Sequence, residues 1–323
     1  MIRLLLLLSL AFATLTALGQ DKDIRITPNW VLGDMRVVRT TMTLRMHMSD
    51  SMDMKMNGSG SYHLSVKEKK KDRSVLSQSL TDADALPSMH MDMTNAPVEL
   101  QLAMDGMMGM MERLTDTMTR PMRGLQLDFN VGPNAEVYGM VQNDAQKLKL
   151  LDAMVLGTQG FIGQLAKEFP EAPTPTKPQL YHLCDSIYDA MVETLRNEMI
   201  YLLDGYQYAY PATGSKREPM LIKDVQAPMK PDMLELPAMV EYGFDEIDAN
   251  HAVSRVVLQY DQGELRKAFA TEGQQLEKIG MTEERVYRFD RRTGWMTGSD
   301  QSMTLVMGDM RVYLNTHSEL KTK

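Results

Sequence analysis

From Val38 onward the chain alternates with a period of two, and that alternation confines the stretch to half-buried β-strands. Met42, Leu44, Met46 and Met48 share one side; Thr41, Thr43, Arg45 and His47 share the other. After the turn residues Ser49-Asp50-Ser51, a single parity takes Met52, Met54, Met56, Gly58, Gly60, Tyr62, Leu64 and Val66. This second strand is long enough to need bending, and Gly58 and Gly60 are where a bend is expected. Upstream, Trp30 to Gly33 reads as a turn entering the first strand. Downstream, the basic run Lys67-Glu68-Lys69-Lys70-Lys71-Asp72-Arg73 reads as a solvated hairpin tip before a third strand, Ser74 to Leu80. An antiparallel meander therefore opens the chain.

The period then changes. Leu100, Met104, Met107, Met111, Leu114 and Met118 lie on one face of a helix spanning Val98 to Met118. Gly106 and Gly109 each weaken it by about 1 kcal/mol relative to Ala, and Pro121 ends it. Leu125 to Val131 and Glu136 to Val141 form a hairpin across Gly132-Pro133-Asn134. Asn143 can cap the next helix, with Leu148, Leu151, Val155, Phe161, Ile162 and Leu165 on its apolar face. A stiff connector with prolines at 170, 173, 175 and 178 follows. A second stripe runs through Leu180, Cys184, Ile187, Met191, Leu195, Met199 and Leu202, closed by Asp204-Gly205.

The last third returns to strands at Leu236–Ile247, Ala252–Tyr260, Arg285–Phe289, Ser302–Met307 and Arg311–Asn315, with a short helical piece around Glu264–Leu276. This order predicts an α+β fold: antiparallel β meander lobes at both ends with a helical middle segment. The expected units are a signal peptide at 1–19, an N-terminal β lobe with one Met-rich helix at 20–142, a helical segment with its Pro-rich connector at 143–205, and a C-terminal β lobe at 206–323.

Met1-Ile2-Arg3, the apolar run Leu4 to Leu8 and Ala17-Leu18-Gly19 have the charge, hydrophobic stretch and small residues of a secretory signal peptide. The run is shorter than the roughly 20 residues a transmembrane helix needs. The expectation is an exported chain, periplasmic or secreted, with no transmembrane helix once cleaved. The single Cys184 rules out internal disulfides and reads as a small buried hydrophobe. A net charge of −8 argues against nucleic acid as a partner.

Ile26-Thr27-Pro28-Asn29-Trp30-Val31-Leu32-Gly33-Asp34, Leu127-Asp128-Phe129-Asn130 with its Gly-Pro turn, and Phe289-Asp290-Arg291-Arg292-Thr293-Gly294-Trp295 carry a resemblance. Through these short motifs the chain resembles uncharacterised exported β-rich proteins of Gram-negative bacteria. The resemblance implies a two-lobed β architecture with a helical middle. It implies no activity and no site residues.

Methionine is the chemically distinctive residue: 31 of 323, 16 of them between Met42 and Met122. Thioethers fill an apolar interior flexibly, line adaptable binding surfaces, or ligate a soft metal. The metal reading is Cu(I) binding by Met46, Met48, Met52, Met54, Met89, His90, Met91 and Met93, with Met48 opposite Met52, Met46 opposite Met54 and Leu44 opposite Met56 across the first hairpin. The favoured reading needs no metal and no cofactor. In it, the Met face packs against the Val98–Met118 helix, and the chain is a non-enzymatic protein that binds a hydrophobic ligand or a cell-envelope partner. No zinc spacing, nucleophile elbow or phosphate loop occurs. The remaining alternative is a carbohydrate- or ester-acting hydrolase, built from carboxylates and the Tyr206–Tyr210 region between two lobes.

Overall fold

The computed structural model describes residues 23–49, 52–79, 90–92, separate helical positions between 98 and 120, 126–141, 143–168, 171, 174–225, 227, 233–270 and 278–322. The first strands are β1 (Ile24–Arg25), β2 (Met35–Ser49), β3 (Met52–Lys69), β4 (Ser74–Ser79), β5 (His90–Asp92), β6 (Gln126–Val131) and β7 (Val137–Met140). Helices α1 (Asp144–Glu168) and α2 (Lys177–Leu203) follow, then β8 (Ala209–Tyr210), β9 (Ser215–Val225), β10 (Leu234–Ile247) and β11 (His251–Tyr260). Helix α3 (Gln262–Phe269) precedes β12 (Ile279–Asp290), β13 (Trp295–Met307) and β14 (Met310–Thr322).

The two-lobe α+β expectation is corrected here. Among the described residues strands make up 52% and helices 29%, and strands from both ends of the chain form one antiparallel sheet. Its order is β7-β6-β4-β3-β2-β14-β13-β12-β11-β10-β9, with β5 added beside β3 to make twelve strands. The joint is β14 against β2, in register from Arg311↔His47 to Thr322↔Arg36. A hairpin can be read from a turn and its flanking alternation. This pairing has no connecting turn, so local pattern carries no trace of it. One hydrophobic core accordingly includes Val38, Tyr62 and Leu64 together with Val240, Val256, Met303 and Leu320.

The β2–β3 register pairs Leu44 with Met56 and Met46 with Met54, as the alternation predicts, but shifts so that Ser49 rather than Met48 opposes Met52. It runs unbroken through Gly58 and Gly60; its irregularity lies between His47 and Ser49. A further shift separates Val66 from Glu68 against β4. Such bulges bend a strand and increase its twist.

The helices sit on one face of this sheet. In α1, the Asn143 side chain accepts from Gln146 N–H at 3.1 Å, which is the expected cap. Lys147 of α1 ties α2 through Asp185 (2.8 Å) and Asp189 (2.9 Å). Cys184 is fully buried between the two helices, 3.9 Å from the Thr158 hydroxyl, and desolvation raises its thiol pKa. The thiol is inert packing. The helix expected over Val98–Met118 is seen only at described positions, Val98, Gly106, Gly109, Met110, Arg113, Asp116 and Thr117, all helical. Among the described residues no helix is long and apolar enough to cross a membrane.

Helix α2 bridges distant strands of the sheet. Glu198 of this helix is close enough to Tyr62 on β3 for its charge to act on the phenol. Asp204, at the C-cap of α2, bonds Arg285 on β12 at 2.7 Å. In a flat sheet β3 and β12, with β2, β14 and β13 between them, would stand about 19 Å apart at the usual strand spacing. Helix α2 thus spans the strands between them, and helix and sheet face together bound a trough.

Candidate functional site

The walls of the trough follow from register. One row across the sheet reads Met56, Leu44, Leu314, Met303, Glu283, Leu258 and Val240; the next reads Met42, Thr316, Gln301, Arg285, Val256 and Tyr242. All share the helix-facing side with Arg285 and Tyr62, because side chains alternate along each strand. Burial divides these rows sharply. Toward β10–β13 they are sealed: Met303 is 1% exposed and Leu258, Val256 and Val240 are 0%. Toward β2, β3 and β14 they are open: Met42 is 39% exposed, and Leu44, Met46, Met56 and Leu314 are half-buried. At the end of the β13–β14 hairpin, Met307 and Met310 are also half-buried. The trough thus carries an apolar, thioether-rich lining on its helix-facing wall that is only partly covered.

A second feature is the buried ionic cluster at the foot of α2. Arg285 Nε bonds Glu283, and its Nη1 bonds Asp204 Oδ2 at 2.7 Å. Tyr260 donates to Glu283 Oε2 at 2.6 Å, Gln301 Nε2 to Glu283 Oε1 at 2.6 Å, and Tyr287 to Asp204 Oδ2 at 2.9 Å. Tyr201 places its ring 5.3 Å from the guanidinium. The two carboxylates do converge, near the Tyr206–Tyr210 segment as the hydrolase alternative required. However, the Glu283 side chain has no exposed surface, and both acids are committed to one arginine. The cluster is a brace. It neutralises a carboxylate lying at the unfavourable end of the helix dipole and fixes α2 to the sheet.

Glu198 is different in kind. It is exposed by surface area, yet enough protein lies around it that desolvation pushes its carboxyl up to about 7. Tyr62, across from it, is 4% exposed, and its phenol pKa is raised, first by burial and then by the Glu198 charge. Among the described residues Glu198 has no hydrogen-bonding partner. It is a second polar point on the helix-facing side, apart from the Asp204–Arg285–Glu283 cluster. Sequence reasoning missed it, because one Glu on a helical stripe looks like any solvated Glu.

The expected metal-ligating residues are distributed as follows. Met46 pairs with Met54, Met56 pairs with Met91, and Asn57 pairs with His90. Met48 and Met52 flank the register shift, while Met89 and Met93 lie outside the described residues. Among the described residues no group of three or more His, Cys, Asp or Glu could hold an ion. On the outer face of β2, β3 and β14 a depression of about 540 Å³ is lined by Arg45, His47, Lys55, Arg311, Tyr313 and their neighbours. It is backed by the same strands as the Met rows but opens on the opposite side of the sheet.

No family model matches the chain, and no curated protein matches it. Among solved structures, one of lipovitellin concerned with lipid–protein interactions is similar with a TM-score of 0.44 and 7% identity, over 90% of this chain and 25% of that one. The chain therefore spans about a quarter of the length of that protein.

Proposed function

We propose that the trough binds a hydrophobic ligand, with the Met- and Leu-bearing face of β2, β3 and β14 as its wall, in a chain exported from the cytoplasm. One observation carries the reading. Both halves of these register rows carry apolar side chains, yet Met303, Leu258, Val256 and Val240 are sealed while Met42 is left 39% exposed. Partly exposed thioethers on the helix-facing side of a sheet make an adaptable lining, because Met has flexible torsions and a polarisable sulfur. Exposing that surface to water without an occupant forgoes roughly 25 cal/mol for each Å² left unburied. An apolar guest recovers it. The export reading rests on the Arg3, Leu4–Leu8 and Ala17-Leu18-Gly19 pattern.

The test is solvent extraction of the protein purified from cells, followed by mass spectrometry of the extract. Co-purifying lipid or another apolar molecule in stoichiometric amount is the expected result. Protein with nothing bound, and with no affinity for a fluorescent hydrophobic probe, would overturn the reading.

A further inference from the structure

At the end of the sheet where β2 begins, an apolar turn stands beside a basic one. Residues Val31 to Asp34 close on themselves: Asp34 N–H donates to the Val31 carbonyl at 2.9 Å, and Val31 N–H donates to Asp34 Oδ2 at 2.9 Å. Gly33, at φ 87°, occupies the left-handed third position of a type II turn. Turn corners ordinarily carry Gly, Pro, Asn, Asp or Ser. Here they precede that Gly as Val31 and Leu32, each 63% exposed. The preceding Trp30 is 2% exposed and packs 5.1 Å from Trp295 and 5.8 Å from Tyr206, so the tip is anchored.

Gly33 N–H donates to the Val66 carbonyl at 3.0 Å and Val66 N–H to the Asp34 carbonyl at 2.9 Å, which lays this turn along the end of β3. Immediately beyond Val66 comes the β3–β4 tip, with Lys67, Lys69, Lys70, Lys71 and Arg73 all exposed. Lys69 Nζ lies 5.9 Å from the Trp30 ring. Lys67 is paired with Asp128 and Lys70 with Glu68. Residues 67–73 hold five cations against two acids, Glu68 and Asp72, so the tip is net positive on a chain of net charge −8.

We propose that this end of the molecule docks on an anionic lipid bilayer, with Val31 and Leu32 entering the headgroup layer and Lys69, Lys71 and Arg73 lying over the anionic headgroups. A stable protein partner asks for a broad complementary face, of order 1,000 Å² in total. Two aliphatic side chains beside a tip of long flexible cations do not make one. They do match an interface that is fluid, apolar beneath and negative on top. The acidic remainder of the chain is repelled by the same surface, so approach is tip first.

Sedimentation of the full chain with phosphatidylcholine vesicles, with and without phosphatidylglycerol, tests this. Binding should require the anionic lipid and weaken at high salt. Val31→Asp with Leu32→Asp, and separately Lys69→Glu with Lys71→Glu and Arg73→Glu, should each lower it by about tenfold or more. Lys149→Glu with Lys223→Glu and Lys267→Glu changes net charge equally at exposed sites elsewhere, and should retain most of the binding. Each comparison is between variants of the same full chain, so any contribution from residues 1–19 is common to all. No binding to anionic vesicles, tip variants that bind normally, or an equal loss from the control set would overturn the proposal.

Discussion

The indole Nε1 of Trp295 donates to Asp34 Oδ2 at 2.9 Å, joining residues 261 positions apart. That carboxylate also receives Val31 N–H, so one acid holds a surface turn to the core aromatic layer formed by Trp30, Trp295, Tyr206 and Phe289. Burial draws the Asp34 carboxyl upward, but the bonds from Trp295 and Val31 and the charge of Arg36 outweigh it and hold the pKa below its usual 3.8. Its contribution to stability is therefore complete above about pH 4 and is lost as the pH falls below that. Asp34→Asn should cost about 1.5–3 kcal/mol at neutral pH, since hydrogen bonds to a charged group are lost. Urea unfolding at pH 7 and at pH 3 checks both points: the gap between the two proteins should shrink in acid.

Arg285→Ala should be far more damaging than an average core substitution. It leaves Glu283, with no exposed side-chain surface, as an unpaired buried charge beside Asp204. Removing one partner of such a set costs about 3–5 kcal/mol. Restoring neutrality by adding Glu283→Leu should recover part of that loss, because the stranded carboxylate is gone. Denaturation midpoints of the single and double variants measure the coupling.

Glu198 makes an opposite pH signature. Its folded carboxyl titrates near 7, against an ordinary value of 4.5. Between those values the folded chain retains a proton that the unfolded chain has released. Stability should therefore rise as the pH is lowered from 7 toward 4.5. Glu198→Gln should abolish this rise, as read by melting temperature across the interval.

Met42→Asp should reduce hydrophobic-probe binding about tenfold or more while leaving the melting temperature nearly unchanged. Met42 already has 39% of its surface exposed, so a charge there costs folding little but desolvates badly under an apolar guest. Met303→Asp, at 1% exposure on the sealed half, should instead unfold the protein. A probe titration beside a thermal melt separates the two.

Anaerobic titration with Cu(I) against a competing chelator addresses the thioether alternative. We expect no stoichiometric uptake, because the β2–β3 register places Ser49 opposite Met52 and breaks the proposed four-methionine set. Tight uptake that vanished in a Met46→Leu, Met54→Leu variant would reverse that expectation.

Much of the local structure was legible because it repeats at short range. The alternations along β2 and along β3, the Asn143 cap and the Leu180–Leu202 stripe each arise between residues close in sequence, and each is present. What escaped was association. Nothing near Thr40 announces that it will share a hydrogen bond with Ser318, 278 positions away, and without that pairing the strands at the two ends look like separate lobes. The Asp204–Arg285–Glu283 brace was illegible for the same reason, being assembled from a helix end and a distant strand. The Met rows were visible as a sheet face, but their half-open state depends on which strands the rest of the chain covers.

The β2–β14 seam also dictates an order of assembly. Until residues 310–322 arrive, β2 is an unpaired edge that offers free N–H and C=O groups along a flat Met-rich ribbon. Contacts spanning nearly the whole chain are slow to form, since the loop they close must be ordered first. A nascent chain would thus spend its longest interval with this edge unprotected. Its growth medium, chaperones and concentration would decide whether β14 or a neighbouring molecule reaches the edge first.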